Sequence, residues 1–263
     1  MTAYLGWCEQ EQRPPALDRT GYGQFSEYLI ELGRSGSTVH IRQQALKAFS
    51  RWIAAELDTD DQLAGLPLAR KDRDPIDPYT EDELRALIAT CKGRDFTSRR
   101  DEAAVRFMVE SMGRASEVCA MTVEGTDVHH GVALIERGKG GKGRFVAFGP
   151  DTALALDRYL RLRRGHSRAH LPNLWLGYRG NGFGYDALYS MVKRRARQAG
   201  IPDAYPHRFR HTGATRWLEA GGSEGGLVAL AGWSSRQMLD RYVAATASKR
   251  AVAEARRLQL PSL

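Results

Sequence analysis

The 263-residue sequence predicts a mainly α protein in two unequal parts, the second carrying one small antiparallel sheet. Three observations predict it. Apolar residues recur at three- and four-residue spacing along most of the chain. Strict alternation replaces that spacing once, on either side of a glycine-rich turn. A stretch around residues 58–79, ending in Lys71 to Pro78 with Pro75 and Pro78 and few apolar side chains, interrupts the helical pattern.

The elements follow in chain order. Phe25, Tyr28, Leu29 and Leu32 predict a helix that Gly33 and Gly36 stop. A longer helix should come next, burying Val39, Ile41, Ala45, Leu46, Phe49, Trp52 and Ile53. Its other face, His40, Gln43, Gln44, Lys47 and Arg51, suits either solvent or a DNA groove. Residues 58–79 read as a connecting stretch, with a linker at 71–79 between a helical domain 1–70 and a second domain 80–263. Thr80 and Glu83 predict a capping box opening that domain, with Tyr79 and Leu84 as its hydrophobic staple. Ala103, Ala104, Phe107 and Met108 mark a helix over 99–112. Val132 and Leu134, then Val146 and Phe148, alternate like strands around Gly138–Gly143, which predicts a hairpin with a basic tip. Beyond Pro150, helices are expected over 151–164, 185–199, 207–220 and, with breaks, 235–259.

Composition excludes several classes. No apolar run approaches the roughly 18 residues of a membrane span. The N-terminus lacks the basic and apolar sequence of a secretory signal. Cys8, Cys91 and Cys119 are too few and too scattered for a disulfide framework or a CxxC metal site, so a cytoplasmic protein is expected. The net charge of +8 is uneven. Residues 1–78 carry 9 Lys and Arg against 12 Asp and Glu, and residues 79–263 carry 30 against 19. A polyanion is the expected partner, held mainly by the second part.

Some motifs match only on paper. Gly138-x-Gly140-x-x-Gly143 fits the dinucleotide fingerprint, but a strand-like run follows where a helix is required. Arg144 stands where a phosphate-binding loop would need lysine. His129 and His130 are adjacent and diverge, and no acidic cluster has two-metal spacing. No metal and no cofactor are therefore expected.

The chemistry-bearing residues lie elsewhere. His207 and Arg210 are three apart and share a helical side. Arg210 can fork onto a phosphate, and His207 can carry a proton near neutrality. Leu230-Ala231-Gly232-Trp233 follows, and Tyr242 stands nine positions after Trp233. Far upstream is Gly113-Arg114-Ala115-Ser116-Glu117. Together these residues resemble the tyrosine recombinases, the family of phage integrases and chromosome-dimer resolving recombinases. The motif likeness covers roughly 79–250, and residues 1–78 match only in helical character. The family's first box reads Thr-Gly-x-Arg. Here Ser111-Met112-Gly113-Arg114 places the glycine one residue later, which bears on the local backbone and not on the arginine.

The resemblance implies a two-domain clamp on DNA, with a core-binding helical domain first and the catalytic domain second. It implies Arg114, Lys139, His207, Arg210, Trp233 and Tyr242 as the catalytic set. Tyr242 would be the nucleophile, forming a 3′-phosphotyrosine and freeing a 5′-hydroxyl. Arg114 and Arg210 would clamp the phosphate and favour the phenolate. Lys139 on the hairpin would be the general acid, with Lys142 its competitor. His207 would assist the tyrosine proton, and Trp233 would donate its indole N–H. Glu117 would hold the arginine helix in place. Candidate DNA contacts are Lys47, Arg51, Lys142, Arg144, Arg208 and His211, although a structural hydrogen bond is the preferred reading of His211. The implied partners are double-stranded core sites, further copies in a homotetramer on DNA assembled from a solution monomer, and an accessory directionality factor, with strand exchange through a Holliday junction. The first 78 residues leave no room for a separate arm-binding domain beside the core-binding one. A short helix over 246–259 is expected after the nucleophile. Its apolar side, Ala247, Ala251, Val252, Ala255 and Leu258, would dock on a neighbour or on its own domain.

Overall fold

The computed structural model describes residues 1–71, 76–136, 143–177 and 183–258. The chain separates into two compact units, Met1–Pro75 and Ile76–Leu263. As the sequence predicts, it is mainly helical, with one small antiparallel sheet.

The first unit holds α1 (Thr2–Gln10), α2 (Arg19–Glu31) and α3 (Gly36–Leu57). Asp18 caps α2 by accepting from the Gly21 amide at 2.6 Å, and Ser35 caps α3 through the Thr38 amide. Tyr4, Trp7, Phe25, Leu29, Val39 and Leu46 form its core. The expected faces of α3 hold in part: Val39 and Leu46 are buried and Gln44 and Arg51 are exposed, as expected. Ile41 and Trp52 are 61% and 56% exposed, whereas Gln43 and Ser50 are buried. Hydrogen bonds explain the two buried polar residues. Gln43 donates to Ser26 Oγ and accepts from the Ala69 amide, and Ser50 donates to Asp61. A buried amide with both ends paired carries little desolvation penalty. Those partners also correct the reading of 58–79 as a bare connection. Leu63 and Leu66 are buried in this core, and the Pro67 carbonyl accepts from Tyr22.

The second unit begins with α4 (Glu81–Ala89), where Thr80 and Glu83 form both halves of the predicted capping box. Then come α5 (Phe96–Ser111), α6 (Ala115–Cys119), β1 (Thr126–Asp127), β2 (Val132–Ile135) and β3 (Arg144–Ala147). The strands lie in the order β1-β2-β3, with Ile135 opposite Arg144 and Val132 opposite Ala147. The remaining helices are α7 (Pro150–Arg164), α8 (Tyr185–Gln198), α9 (Pro206–Glu219), α10 (Glu224–Ala231) and α11 (Arg236–Leu258). The main core gathers Leu87, Phe107, Leu156, Trp175, Leu188 and Phe209. A smaller cluster of Met112, Ala214, Leu218, Leu227, Ala231, Trp233, Leu239 and Tyr242 lies beside it. The predicted breaks in 235–259 are absent. Tyr242 and the expected tail helix belong to one continuous α11, because no glycine or proline interrupts Arg236–Leu258.

Two backbone features aim the second unit's chemistry. α9 crosses α5 at Gly213, where an added Cβ would stand 2.1 Å from the Val109 carbonyl oxygen. Met112, just past α5, takes the left-handed conformation at φ 52°, a turn that L-residues other than glycine seldom make. Together they bring α9 and the chain entering α6 close to α5.

Candidate active site

The site is organised by the end of a helix. The last carbonyls of an α-helix lack partners within it and carry the negative end of its dipole. At the end of α10 these carbonyls meet three guanidinium groups. Leu230 O accepts from Arg144 Nε at 2.8 Å, Ala231 O from Arg210 Nη2 at 2.7 Å, and Gly232 O from Arg114 Nη2 at 3.3 Å. Gly232 sits at φ 62° with Arg144 Nε 2.9 Å from where its Cβ would lie, so a side chain here would be strained and would press on that guanidinium. Residues from β3, α9 and the start of α6 thus converge, although they are distant in sequence.

Glu117 completes the frame. It accepts from Arg114 Nη1 and from Arg144 Nη2, each at 2.7 Å, and from the Arg114 amide at 2.9 Å. Burial opposes its ionisation. The hydrogen bonds from Arg144 and Arg114 outweigh that and hold its carboxyl below the usual carboxylate range. Three guanidinium groups facing one carboxylate leave positive charge in excess. Arg210 is 2% exposed and also donates to Met112 O at 2.7 Å. Burial first, and then repulsion from Arg114, bring it down to about 10. Such a site favours an anion.

The nucleophile candidate lies alongside. The Tyr242 ring is stacked between Trp233, at 5.0 Å and 21°, and His211, at 5.1 Å and 29°. Its hydroxyl is 2.6 Å from His211 Nδ1. Trp233 Nε1 is buried with no hydrogen-bond partner, and so is His211 Nε2. Buried polar atoms are almost always paired, so each of these leaves hydrogen-bonding capacity unused beside the phenol. Burial raises Tyr242 to about 12, against the pull of Arg210 and Arg241. Desolvation thus outweighs the neighbouring cations and favours the phenol form in the DNA-free chain. His207 faces solvent on α9 with its ring perpendicular to that of His211 at 4.8 Å. Loss of hydration, then the charges of Arg210, Arg114 and Arg241, hold it below its usual range.

The helix α9 is built to present these groups. Pro206 occupies its first turn, where a missing N–H costs nothing. His207, Arg210 and His211 then fall on one side at spacings of three and four.

The matching family model is the phage integrase family, over residues 78–249. The chain belongs to this family, the tyrosine recombinases. The tyrosine recombinase XerD of Ralstonia nicotianae is 31% identical over 84% of this chain and 73% of its own length. The XerC of Corynebacterium efficiens is 28% identical over 81% and 69%. Among solved structures, the Tn1549 transposon integrase in complex with circular intermediate DNA superposes with a TM-score of 0.74. It covers 92% of this chain and 86% of that one at 19% identity. A lambda integrase dimer bound to a core site gives 0.71 over 91% and 86% at 16% identity.

Within this recombinase the sequence-predicted residues divide. Arg114, Arg210, His207, Trp233 and Tyr242 come together. Lys139 and Lys142 lie outside the described residues. Arg144, read from sequence as a DNA contact, is spent on Glu117 and the end of α10 and is 11% exposed. Arg208 is likewise internal. It donates to the Asp77, Asp203 and Pro78 carbonyls and to Glu83, and it lies over the Tyr79 ring at 4.1 Å. His211 bonds Tyr242. Lys47 Nζ donates to the Leu66 carbonyl, while Arg51 is exposed. Arg241, whose charge bears on His207, His211 and Tyr242, was not singled out from the sequence. Its place directly before the tyrosine was the available signal. The gathering role of α10 was also missed, although Gly232 is a readable helix stop. Among the described residues no group of His, Cys, Asp and Glu could hold a metal ion, and no helix is long and apolar enough to cross a membrane.

Proposed function

We propose that the chain is a site-specific DNA recombinase of the integrase type, cutting and rejoining core sites through a 3′-phosphotyrosine on Tyr242. One observation carries this reading: a buried phenol lies against Trp233 and beside a cationic frame of Arg114, Arg144 and Arg210 gathered on the end of α10.

The chemistry follows from that frame. Arg114 and Arg210 donate to the non-bridging oxygens of the scissile phosphate, whose negative charge grows in the transition state. The Trp233 indole N–H supplies a third donor. It has no acceptor capacity, so it stabilises charge and takes no proton. The Tyr242 oxygen attacks phosphorus, the bond to the 5′ oxygen breaks, and Lys139 gives that oxygen a proton. The ester keeps the energy of the broken bond, so rejoining to a second duplex needs no nucleotide. His207 takes part in the proton traffic. Two such rounds pass through a Holliday junction in a tetramer assembled on DNA, under an accessory directionality factor. The first unit, Met1–Pro75, takes the core-site binding role, with Arg51 among its exposed cations. The DNA complexes of the Tn1549 and lambda integrases support duplex DNA as the partner.

A library of nicked duplexes carrying core sites from flanking genomic DNA tests the proposal. Each nick lets the fragment beside the cleaved bond diffuse away and traps the adduct. The expected result is a covalent adduct with the wild-type chain and none with Tyr242→Phe, DNA binding being equal. An adduct with the Phe variant removes Tyr242 from the role. Sequence-specific binding without a wild-type adduct makes the chain a non-cleaving regulator. Relaxation of supercoiled plasmid without site preference makes it a topoisomerase-like enzyme.

A further inference from the structure

The resting geometry pairs the tyrosine hydroxyl with a histidine other than the one expected to move its proton. We infer that His211, rather than His207, takes the Tyr242 proton during cleavage and returns it during rejoining. This inference rests on the recombinase reading above.

Three observations lead to it. The Tyr242 hydroxyl is 2.6 Å from His211 Nδ1, which is its hydrogen-bond partner among the described residues. Tyr242 is 4% exposed and closed in by the flanking rings of Trp233 and His211, so its proton has no direct route to bulk water. His207 touches this pair only through the face-to-edge contact of its ring with His211, 4.8 Å between centroids. A proton leaving the phenol therefore meets Nδ1 of His211 first. The neutral imidazole that accepts at Nδ1 carries its own hydrogen on Nε2. That atom is buried and unpartnered, a donor held in reserve as the ring becomes cationic.

The charges on His211 set the timing. His207 and Arg210 bear on it from α9, and Arg241 and Tyr242 from α11. Burial, then His207, Arg241 and Arg210, bring His211 down to about 4, while Tyr242 stands at about 12. A weakly basic His211 beside a weakly acidic Tyr242 disfavours transfer before attack. As the bond from the Tyr242 oxygen to phosphorus forms, that oxygen loses its basicity and its proton passes to His211 Nδ1. The phosphorus–O5′ bond breaks, its electron pair stays on O5′, and Lys139 protonates that oxygen. A phosphate on Arg114 and Arg210 offsets the cations that disfavour imidazolium. In rejoining, the same proton returns to the departing tyrosine oxygen.

The test uses the full chain and the duplex from the nicked-site library that gives the most wild-type adduct. His211→Asn keeps a polar atom near Nδ1 but takes no proton. His211→Phe keeps the stacked ring and loses the hydrogen bond. Both should bind the duplex like the wild type and form adduct about 100-fold or more slowly, the range of a lost general base. The wild-type rate should fall in acid as His211 protonates, and that limb should be shallower in His211→Asn, where only the loss of Glu117 charge remains. Nitrogen-15 spectra should show His211 protonated at Nε2 in the DNA-free chain. A wild-type rate in His211→Asn, an unchanged acid limb, or a loss confined to DNA affinity overturns the assignment. Absence of any adduct from the wild-type chain removes the recombinase reading instead, so the two failures are distinct.

Discussion

Replacing Glu117 with glutamine tests whether one carboxylate holds the guanidinium frame in place. Glu117 accepts three hydrogen bonds, two from Arg114 and one from Arg144, all between 2.7 and 2.9 Å. Its side chain is 3% exposed and that of Arg144 11%, so water screens this pair little; Arg114, at 31%, is screened more. The substituted amide would keep one acceptor oxygen and turn its N–H₂ towards a guanidinium, setting donor against donor. Removing one partner of a buried pair costs about 3–5 kcal/mol, and the surviving oxygen with the partial exposure of Arg114 reduces that to about 2–3 kcal/mol. Urea unfolding followed by tryptophan fluorescence measures the loss, reported in the second unit by Trp175, Trp217 and Trp233. The pH dependence is a second check. Hydrogen bonds hold the folded carboxyl of Glu117 below its ordinary 4.5. Its contribution is therefore complete above that value and is lost as pH falls through the lower folded one. The gap between wild type and Glu117→Gln should accordingly narrow in acid. A gap under about 0.5 kcal/mol at neutral pH, the range of an ordinary surface change, would refute the frame. So would a gap that widens as acid is added.

Other perturbations separate the roles of neighbouring groups. Gly213→Ala puts a Cβ 2.1 Å from the Val109 carbonyl oxygen and should cost about 1–3 kcal/mol in a thermal or urea melt, with slower adduct formation as α9 is pushed from α5. Trp233→Phe keeps the stack on Tyr242 and removes the unpaired N–H, so adduct formation should fall about 100-fold with little change in DNA affinity; an equal rate would show that the ring alone matters. Arg208→Ala should lose about 1–2 kcal/mol of stability and leave the salt dependence of DNA binding unchanged, whereas a slope smaller by about one would return Arg208 to a phosphate.

Much of this arrangement was legible because the relevant signals are local. The Thr80–Glu83 box depends on three consecutive peptide units and forms as predicted. His207, Arg210 and His211 share a side because helical spacing requires it. The faces of α3 were legible only in part: apolar spacing placed Val39 and Leu46 in the core but assigned Gln43 to solvent and Ile41 to the core. Gln43 is buried because Ser26 and the Ala69 backbone, distant in sequence, satisfy its amide. The destinations of the arginines were hidden for the same reason. A basic side chain reads as surface until its acceptors are known. Arg144 finds the end of α10, Arg208 finds carbonyls flanking α4 and α9, and Arg195 joins Arg100 and Arg194 on the fully buried Asp101. Part of the positive excess of residues 79–263 is thus spent on holding the second unit together, and the charge left for a polyanion is smaller than the count suggests.

Met112 shows how packing sustains a backbone that its own residue disfavours. It stands where the first box of the recombinases has glycine, and it keeps the left-handed φ of 52° that glycine would adopt freely. A side chain there costs about 1–2 kcal/mol. Two contacts offset this. The Met112 carbonyl accepts from Arg210 Nη1 at 2.7 Å, and the side chain, 2% exposed, packs in the cluster that holds Trp233 and Tyr242. Removing a buried methionine side chain costs about 2–5 kcal/mol, more than the relief of backbone strain returns. Met112→Gly should therefore destabilise the chain by about 1–3 kcal/mol despite restoring the family residue, and it should loosen Tyr242 as well. The neighbouring glycine sharpens the test. A Cβ at 213 would lie 2.6 Å from Met112 Cγ but 2.1 Å from the Val109 carbonyl oxygen. Deleting the methionine clears the first conflict and leaves the second, so Met112→Gly should not rescue Gly213→Ala. Stabilisation by Met112→Gly alone, or rescue in the double variant, would show that the turn itself, and not the side chain packed over Gly213, sets the position of Arg210.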